Sequence, residues 1–215
     1  KAGVCVVTGD TKVVEKGRGD KIYINTAGIG FLKYPGLSPK NIKKGDKVIV
    51  SGTVGDHGTA VMLSRIGMEQ EGICSDCAAL NGLCEAILST GGVRVLRDPT
   101  RGGAATTLNE FIEGTPLGIE LDERLIPVRP DVQAACDMLG LDAMYCANEG
   151  KLLAVVAPEA EERVLEAMRR TEEGRNAATI GEVTDAYPGR LVMNTAFGGR
   201  RILQKLTGAQ LPRIC

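Results

Sequence analysis

The chain has 215 residues, which is enough for one large or two small domains with a sizeable hydrophobic core. Its 43% hydrophobic and 25% charged residues are typical of globular proteins, so a wholly disordered chain is excluded. A formal net charge of −1 and the absence of Trp argue against a nucleic acid partner. No apolar run is long enough to span a membrane, and the odd number of seven cysteines favours reduced thiols, so we predict a cytoplasmic protein with no membrane partner.

The first part of the chain alternates strand-forming runs with turns. Residues 3–8 predict a buried strand, and residues 21–32 form a longer run of strand-forming type. The Pro- and Gly-containing stretch 34–39 predicts a domain junction. Beyond it, a strand over 47–53 and a helix over 57–68 are expected.

The remaining elements follow in a mixed order of helices and strands. They are a helix over 75–89, a strand over 93–96, a helix over 104–113, a strand over 119–121, a helix over 131–139, a strand over 152–157, a helix over 159–170, and a closing strand pair over 178–183 and 190–193. Such an order with long crossovers predicts an α+β fold, a mixed α/β sandwich. The last residues, 207–215, show no periodicity and predict a flexible tail.

The first candidate site follows the first predicted strand. Asp10 at the end of a strand can hold Mg²⁺, and Lys12 can meet a phosphate as a point charge. The glycines of a phosphate-binding loop are missing here. On these residues alone, an ordinary polar turn is the favoured interpretation.

The second candidate is the Gly-rich strand-to-helix turn of residues 52–58, which we name the first corner. Backbone N–H groups and a helix N-terminus would face an anion there, with Asp56 and His57 as candidate ligands. His57 is the only histidine, so a two-histidine metal site is excluded. A purely structural tight turn is an equally good interpretation.

The third candidate is the Arg-Asp-Pro-Thr-Arg-Gly-Gly turn of residues 97–103, the second corner. Its charged residues, with Asp98 and Arg101 as the main candidates, suit a phosphate or carboxylate partner. A surface network of ion pairs is the alternative. The Pro and the paired Gly beside the charges favour a functional site.

The fourth candidate is Asn-Glu-Gly-Lys at residues 148–151, which we name the Asn148 turn. Glu149 lies at the edge of a predicted buried strand, where desolvation can raise the pKa of a carboxyl group and make it a general base. A turn with a simple Glu–Lys ion pair is about equally common.

Cysteines supply two further candidates. Cys74 and Cys77 form a CxxC motif at a predicted helix start, but no second pair completes a zinc site, so a redox or metal role is the weaker interpretation. Cys215 is the last residue, and on a flexible tail its thiol could carry a group between sites, although a chance terminal cysteine is the alternative. The other cysteines are predicted to be small core residues: Cys5, Cys84, Cys136 and Cys146.

Taken together, these motifs resemble the family of the [NiFe]-hydrogenase maturation protein HypE. The motifs that carry the resemblance are Gly-Asp-Thr-Lys-Val (9–13), Ser51 with the first corner, the second corner, the Asn148 turn and the terminal Pro-Arg-Ile-Cys (212–215). The terminal motif is the most specific. The others are shared loosely with the superfamily of aminoimidazole ribonucleotide synthetase and selenophosphate synthetase.

The resemblance implies an ATP- and Mg²⁺-dependent carbamoyl dehydratase. The carbamoyltransferase HypF would place a carboxamide on the thiol of Cys215, and dehydration would convert it to a cyanide. A HypC–HypD complex would receive the cyanide on iron, and the protein would form a homodimer. Two alternatives remain: a phosphoryl-transfer enzyme of the same superfamily acting on a free small molecule, and a non-enzymatic carrier of Cys215.

The resemblance also implies roles for the candidate residues. Glu149 would be the base, Lys12 would orient the reacting group, and Asp10 would help to hold Mg²⁺–ATP. The remaining candidates would line the nucleotide or tail site: Asp56, His57, Asp98, Arg101 and Asn148.

Two domains and a tail are implied by the same resemblance. Residues 1–40 would be the last part of an ATP-binding dimerisation domain, residues 41–206 a complete C-terminal α/β domain, and residues 207–215 the tail. The resemblance further implies an N-terminal stretch, with acidic residues expected to bind Mg²⁺, that this chain lacks before Lys1. We therefore expect this chain alone to bind ATP weakly or not at all.

Overall fold

A computed structural model describes residues 1–19 and 22–206 of the chain. Within these ranges the strands are β1 Lys47–Val50, β2 Val93–Arg97, β3 Gly118–Asp122, β4 Leu153–Val156, β5 Ala178–Thr184, β6 Leu191–Asn194 and β7 Arg200–Leu203. The α-helices are α1 Asp56–Arg65, α2 Asn81–Leu88, α3 Gly103–Ile112, α4 Pro130–Leu139 and α5 Glu161–Arg169. Short 3₁₀ turns cover Pro39–Asn41, Glu123–Leu125, Ala143–Tyr145 and Pro158–Ala160. The predicted mixed α/β fold is confirmed.

The strands of the described residues form one sheet in the order β2-β4-β1-β5-β3-β6-β7. Neighbouring strands are antiparallel except β3 and β6, which run parallel. Strand β1 lies inside this sheet, between β4 and β5, and is covered on both faces. Its side chains alternate, with Val48 and Val50 on one face and Ile49 on the other, as a period of two requires.

Helices cover both faces of the sheet. Helix α3 packs Leu108 and Phe111 against the first face, and α2 and α5 pack Leu83 and Met168 against the second. Helices α1 and α4 form a smaller cluster of their own that includes Leu63. Helices α1 and α3 begin a few residues after strands β1 and β2, so the sheet positions their starts. None of the helices in the described part of the chain has the length and apolar character needed to cross a bilayer.

The predicted strands over residues 3–8 and 21–32 are wrong for the residues that the structure describes. Both stretches lack strand pairing, and their apolar side chains are exposed, with Val6 at 90%. Cys5 is exposed as well, so its predicted place in the core is also wrong. A run of β-branched residues gives strand propensity, but a strand forms only where a neighbouring strand accepts its hydrogen bonds.

Two further elements differ from the prediction. The helix expected over 75–89 begins only at Asn81. The Ser75 hydroxyl contacts His57 of α1, and the Asp76 carboxylate accepts the N–H of Glu149, so neither side chain starts a helix there. Strands β5 and β6 do not pair with each other, since β3 lies between them and β6 pairs with the unpredicted β7. The division into domains near residue 40 stays a prediction.

Candidate functional site

The first corner, the second corner and the Asn148 turn meet at the side chain of Asn148. This side chain is fully buried, and its Oδ1 accepts the N–H of Gly55 in the first corner at 2.8 Å. Its Nδ2 donates to the carbonyls of Cys146 at 3.0 Å and of Pro99 in the second corner at 3.3 Å. The backbone N–H of Asn148 also donates to Pro99, at 3.1 Å. A single amide therefore connects three motifs that lie far apart in the sequence.

Glycines allow the two corners to approach the segment before this turn. A Cβ on Gly58 would lie 2.9 Å from the Ala147 nitrogen, and a Cβ on Gly103 would lie 2.5 Å from the Met144 carbonyl oxygen. The N–H of Gly58 donates to the Ala147 carbonyl at 3.0 Å. Any side chain at these two positions would push the corners away from the turn.

Helices α1 and α3 both begin at these corners. Each follows a glycine in the left-handed conformation, Gly55 with φ 92° and Gly102 with φ 74°. Because both N-cap residues are glycines, no N-cap side chain bonds to the first N–H groups of either helix. Helix starts of this kind present backbone N–H groups that bind anions. In the second corner, the candidates Asp98 and Arg101 are exposed.

The carboxylate of Asp56 is buried and already engaged within the fold. Its Oδ2 accepts the hydroxyl proton of Thr53 at 2.5 Å, and its Oδ1 lies 3.8 Å from the guanidinium of Arg129. Arg129 also donates to the carbonyl of Gly72 and to Asp131, at 2.8 and 2.6 Å. Sequence reasoning missed Arg129, because it lies outside every motif.

His57 and the CxxC segment lie against each other. The Nδ1 atom of His57 is 2.8 Å from the Ser75 hydroxyl, which also accepts the N–H of Cys77 at 3.2 Å. Cys74 and Cys77 are both exposed. Within the described residues, no three His, Cys, Asp or Glu side chains lie close enough together to hold a metal ion.

Glu149 is half-buried beside Asp76, a residue that sequence reasoning also missed. The N–H of Glu149 donates to Asp76 Oδ1 at 2.9 Å, and the Lys151 ammonium lies 3.4 Å from Asp76 Oδ2. The only signal for Asp76 in the sequence is its position inside the CxxC motif. A cavity of about 260 Å³ opens beside this group and is lined by Lys1, Gly52, Thr53, Asp76, Cys77, Ala78, Gly150, Lys151, Glu172, Glu173 and Asn176.

Cys136 on α4 and Cys146 just before the Asn148 turn are both buried, so the prediction that they are core residues is correct. Contact with the Cys146 thiol lowers the pKa of the Cys136 thiol, against the opposing effect of burial. The same contact, with burial, raises the pKa of Cys146. The Thr59 hydroxyl lies 3.3 Å from the Cys136 sulfur. These thiols join α1, α4 and the turn in one small cluster.

Asp10 and Lys12 lie in the exposed N-terminal segment. Asp10 Oδ1 accepts the N–H of Thr11 at 2.8 Å, a local contact typical of a turn. Across residues 1–19 and 22–206, no hydrogen bond or ion pair joins either side chain to the Asn148 turn. Their predicted place in the same site as Glu149 stays a prediction. Cys215 and the terminal motif 212–215 lie outside the described residues.

The chain belongs to the AIR synthase related family, whose C-terminal domain it matches over residues 43–194. It is also 50% identical, over its whole length, to the carbamoyl dehydratases HypE of Bradyrhizobium diazoefficiens and Azotobacter vinelandii. The chain spans 63% and 64% of the lengths of these two relatives. The family resemblance expected from the motifs is therefore confirmed.

Solved structures agree with this assignment. A hydrogenase maturation protein HypE superposes with a TM-score of 0.81 at 43% identity, covering 86% of this chain and 60% of that one. A HypE structure in complex with ATP gives a TM-score of 0.80 at 42% identity, over 86% of this chain and 57% of that chain. A HypE–HypF complex gives 0.75 at 43% identity, over 80% of this chain and 57% of that chain.

Proposed function

We propose that the chain is part of an ATP-dependent carbamoyl dehydratase that acts in [NiFe]-hydrogenase maturation. A carboxamide on the Cys215 thiol would be dehydrated to a cyanide, the donor of the cyanide ligands of the hydrogenase iron. The relatives named carbamoyl dehydratase HypE support this along the whole chain. The observation that carries the proposal is the convergence of the two corners on Asn148, with Glu149 as the next residue.

Dehydration of an amide needs a leaving group and a base. Transfer of a phosphoryl group from ATP to the amide oxygen, with release of one N–H proton to solvent, gives an imidate phosphate and ADP. Glu149 then takes the second N–H proton while the C–O bond breaks, so that the C≡N bond forms and phosphate leaves. Lys12 orients the carbonyl and stabilises its developing charge.

The starts of α1 and α3 are the parts of the fold that suit the phosphates of ATP. Both present helix N-termini preceded by glycine, and the exposed Arg101 lies directly before one of them. His57 and Asp98 would line the same region. Asp56 and Asn148 are engaged inside the fold, so they would act through the loops that they hold.

The residues present fit a Mg²⁺ site only in part. Mg²⁺ binds through one or two carboxylates together with phosphates and water. Asp10 is one exposed carboxylate, and the described residues contain no cluster of three acidic, His or Cys side chains around it. We therefore assign Asp10 a share in holding Mg²⁺–ATP and derive no step from the ion.

Partners are proposed from the relatives. One solved HypE is described in complex with HypF, which supports HypF as the protein that loads Cys215. A HypC–HypD complex would accept the cyanide, and the protein would act as a homodimer. The exposed apolar side chains of the N-terminal segment, Val6 among them, agree with such an interface.

The test is a mass spectrum of the C-terminal peptide after incubation with HypF, carbamoyl phosphate and Mg²⁺–ATP. Two proteins are compared: this chain, and this chain joined to the part of the Bradyrhizobium relative that it does not span. We expect the joined protein to gain a carboxamide on Cys215 and then to lose one water from it. A carboxamide that persists in both proteins would contradict dehydration and show that the chain only carries the group on Cys215. An unmodified Cys215 in both proteins would favour an enzyme that acts on a free small molecule.

Variants of the joined protein test the base. Glu149→Gln should keep the carboxamide and stop the loss of water, because the amide side chain cannot accept the proton. Glu162→Gln, an exposed carboxyl group on α5, is the matched control and should dehydrate normally. Dehydration by Glu149→Gln at the normal rate would remove Glu149 from the mechanism.

A further inference from the structure

Asp76 lies in the segment between α1 and α2, and its side chain points to the Asn148 turn. Only 4% of this side chain is exposed. Burying a carboxylate is costly unless its oxygens are bonded or paired. The contacts of its two oxygens therefore indicate what the buried charge does.

The two oxygens of Asp76 contact both sides of Gly150. Oδ1 accepts the backbone N–H of Glu149 at 2.9 Å. Oδ2 accepts no hydrogen bond within the described residues, but the ammonium of Lys151, itself largely buried, lies 3.4 Å from it. One carboxylate thus binds the residue before Gly150 and faces the charge of the residue after it.

The backbones of the two loops are also in direct contact. A Cβ on Gly150 would overlap the Asp76 carbonyl oxygen and lie 2.9 Å from the Ala78 nitrogen. Only glycine allows this approach. The neighbouring Ser75 meanwhile contacts His57 of the first corner at 2.8 Å, so the segment links the first corner to the Asn148 turn.

The negative charge at Asp76 is not needed for the hydrogen bond to Glu149. An asparagine side-chain oxygen would accept the same N–H and would be cheaper to bury. What the carboxylate adds is attraction to Lys151 at the far end of the turn. The charge therefore has a role in holding the turn from both sides.

We propose that Asp76 is a positioning residue for Glu149. Its carboxylate holds the Glu149 backbone and the Lys151 ammonium together, and so fixes the direction in which the Glu149 side chain leaves the turn. This inference rests on the proposed function for the role of Glu149 as base. It also gives the CxxC segment a function that does not depend on its cysteines.

Two variants and one control test the proposal. Asp76→Ala removes both contacts, and Asp76→Asn keeps an acceptor for the Glu149 N–H but removes the charge facing Lys151. Asp46→Asn is the matched control, because Asp46 is also buried, accepts the N–H of Lys43 at 2.7 Å and pairs with Arg94 at 3.2 Å, away from the turn.

The first measurement is hydrogen exchange of the Glu149 amide in this chain, followed by NMR. Asp76→Ala should raise its exchange rate at least about tenfold relative to the amides of β4, and Asp46→Asn should leave it unchanged. An unchanged exchange rate in Asp76→Ala would overturn the proposal. If Asp76→Ala does not fold, the same comparison is made with Asp76→Asn, where a smaller increase over the turn is expected.

The second measurement is the dehydration rate of the joined protein. We expect kcat to fall about 10- to 100-fold in Asp76→Ala, and less in Asp76→Asn, with KM for ATP unchanged, since a misplaced base slows chemistry and not nucleotide binding. A normal kcat, or an equal loss in Asp46→Asn, would overturn the positioning role. An inactive parent protein whose Glu149 amide is still protected by Asp76 would instead overturn the proposed function.

Discussion

Asn148 is the residue on which the convergence of the three motifs depends. Its side chain accepts one backbone N–H and donates to two backbone carbonyls, and no solvent reaches it. The family resemblance implies that Asn148 lines the nucleotide or tail site, and this role stays a prediction. Its contacts show that its side chain joins the three motifs inside the fold, next to Glu149.

Replacing this side chain should be costly. Asn148→Ala leaves the Gly55 N–H and the two carbonyls without their partner, so we expect a loss of about 2–4 kcal/mol in the free energy of unfolding. Urea unfolding followed by circular dichroism measures it. Asn81→Ala, at an exposed asparagine, is the control and should change the free energy by less than about 0.5 kcal/mol. Equal effects of the two changes would contradict this role of Asn148.

Glu85 on α2 accepts hydrogen bonds from two side chains of the N-terminal segment. The Lys33 ammonium and the Tyr34 hydroxyl donate to its Oε1 at 2.6 and 2.8 Å. The bond from Lys33, with that from Tyr34, lowers the pKa of Glu85, and the bond to Glu85 raises the pKa of Tyr34. The contact is therefore lost as pH falls through the lowered pKa of Glu85, and lost again as pH rises through the raised pKa of Tyr34.

Glu85→Gln should bring the pKa of Tyr34 back down toward its ordinary value. A pH titration of the tyrosine ring carbons by NMR measures this shift. The signal of Tyr145, whose pKa is raised by burial and whose hydroxyl donates to the Gln204 carbonyl at 2.9 Å, should titrate identically in both proteins. Identical titration of Tyr34 in both proteins would mean that the contact is not formed in solution.

At the scale of elements, the starts of α1 and α3 are held against the segment before the Asn148 turn by glycines. Gly58 is the third residue of α1, and its N–H bonds to Ala147. Gly82 is the second residue of α2, and nothing lies within 4 Å of the place of its missing Cβ. The two helical glycines therefore form a matched pair.

Gly58→Ala and Gly82→Ala should have opposite effects on stability. The new methyl group at position 58 meets Ala147 and Cys146, so we expect a loss of about 1–3 kcal/mol in the free energy of unfolding. At position 82 alanine improves helix propensity, and a gain of up to about 1 kcal/mol is expected. Urea denaturation of both variants decides the point, and a neutral Gly58→Ala would show that α1 is not packed tightly on the turn.

The whole molecule consists of two parts that differ in their packing. Residues 38–206 build the sheet and its helices, with apolar clusters on both faces. The described residues before them expose apolar side chains such as Val6 and Phe31, and their principal contact is that of Lys33 and Tyr34 with α2. The fold therefore depends little on the N-terminal segment.

Removal of residues 1–32 should leave stability nearly unchanged. We expect the free energy of unfolding to stay within about 1 kcal/mol, because few buried contacts are lost. Less self-association is also expected, since exposed apolar side chains are removed. Urea unfolding and light scattering of the shortened and complete chains measure both, and a loss of more than about 3 kcal/mol would contradict the predicted domain boundary near residue 40.

The local sequence pattern predicted most elements after residue 40, because the pattern within each element reflects its burial. The uninterrupted apolar run correctly predicted β4, and the proline correctly predicted the start of α4, because burial and helix capping depend on a few neighbouring residues. The same reasoning failed for residues 3–8, where apolar composition was not matched by a neighbouring strand.

By itself, the sequence determined the α/β class, six of the seven strands of the described sheet and the four polar motifs, because each rests on short-range pattern. Only the tertiary structure decided which motifs meet. Asn148 bonds to Gly55 across 93 residues, and Asp76 bonds to Glu149 across 73. Such pairings depend on the strand order of the sheet and on glycines that permit close approach, and local pattern carries no information about either.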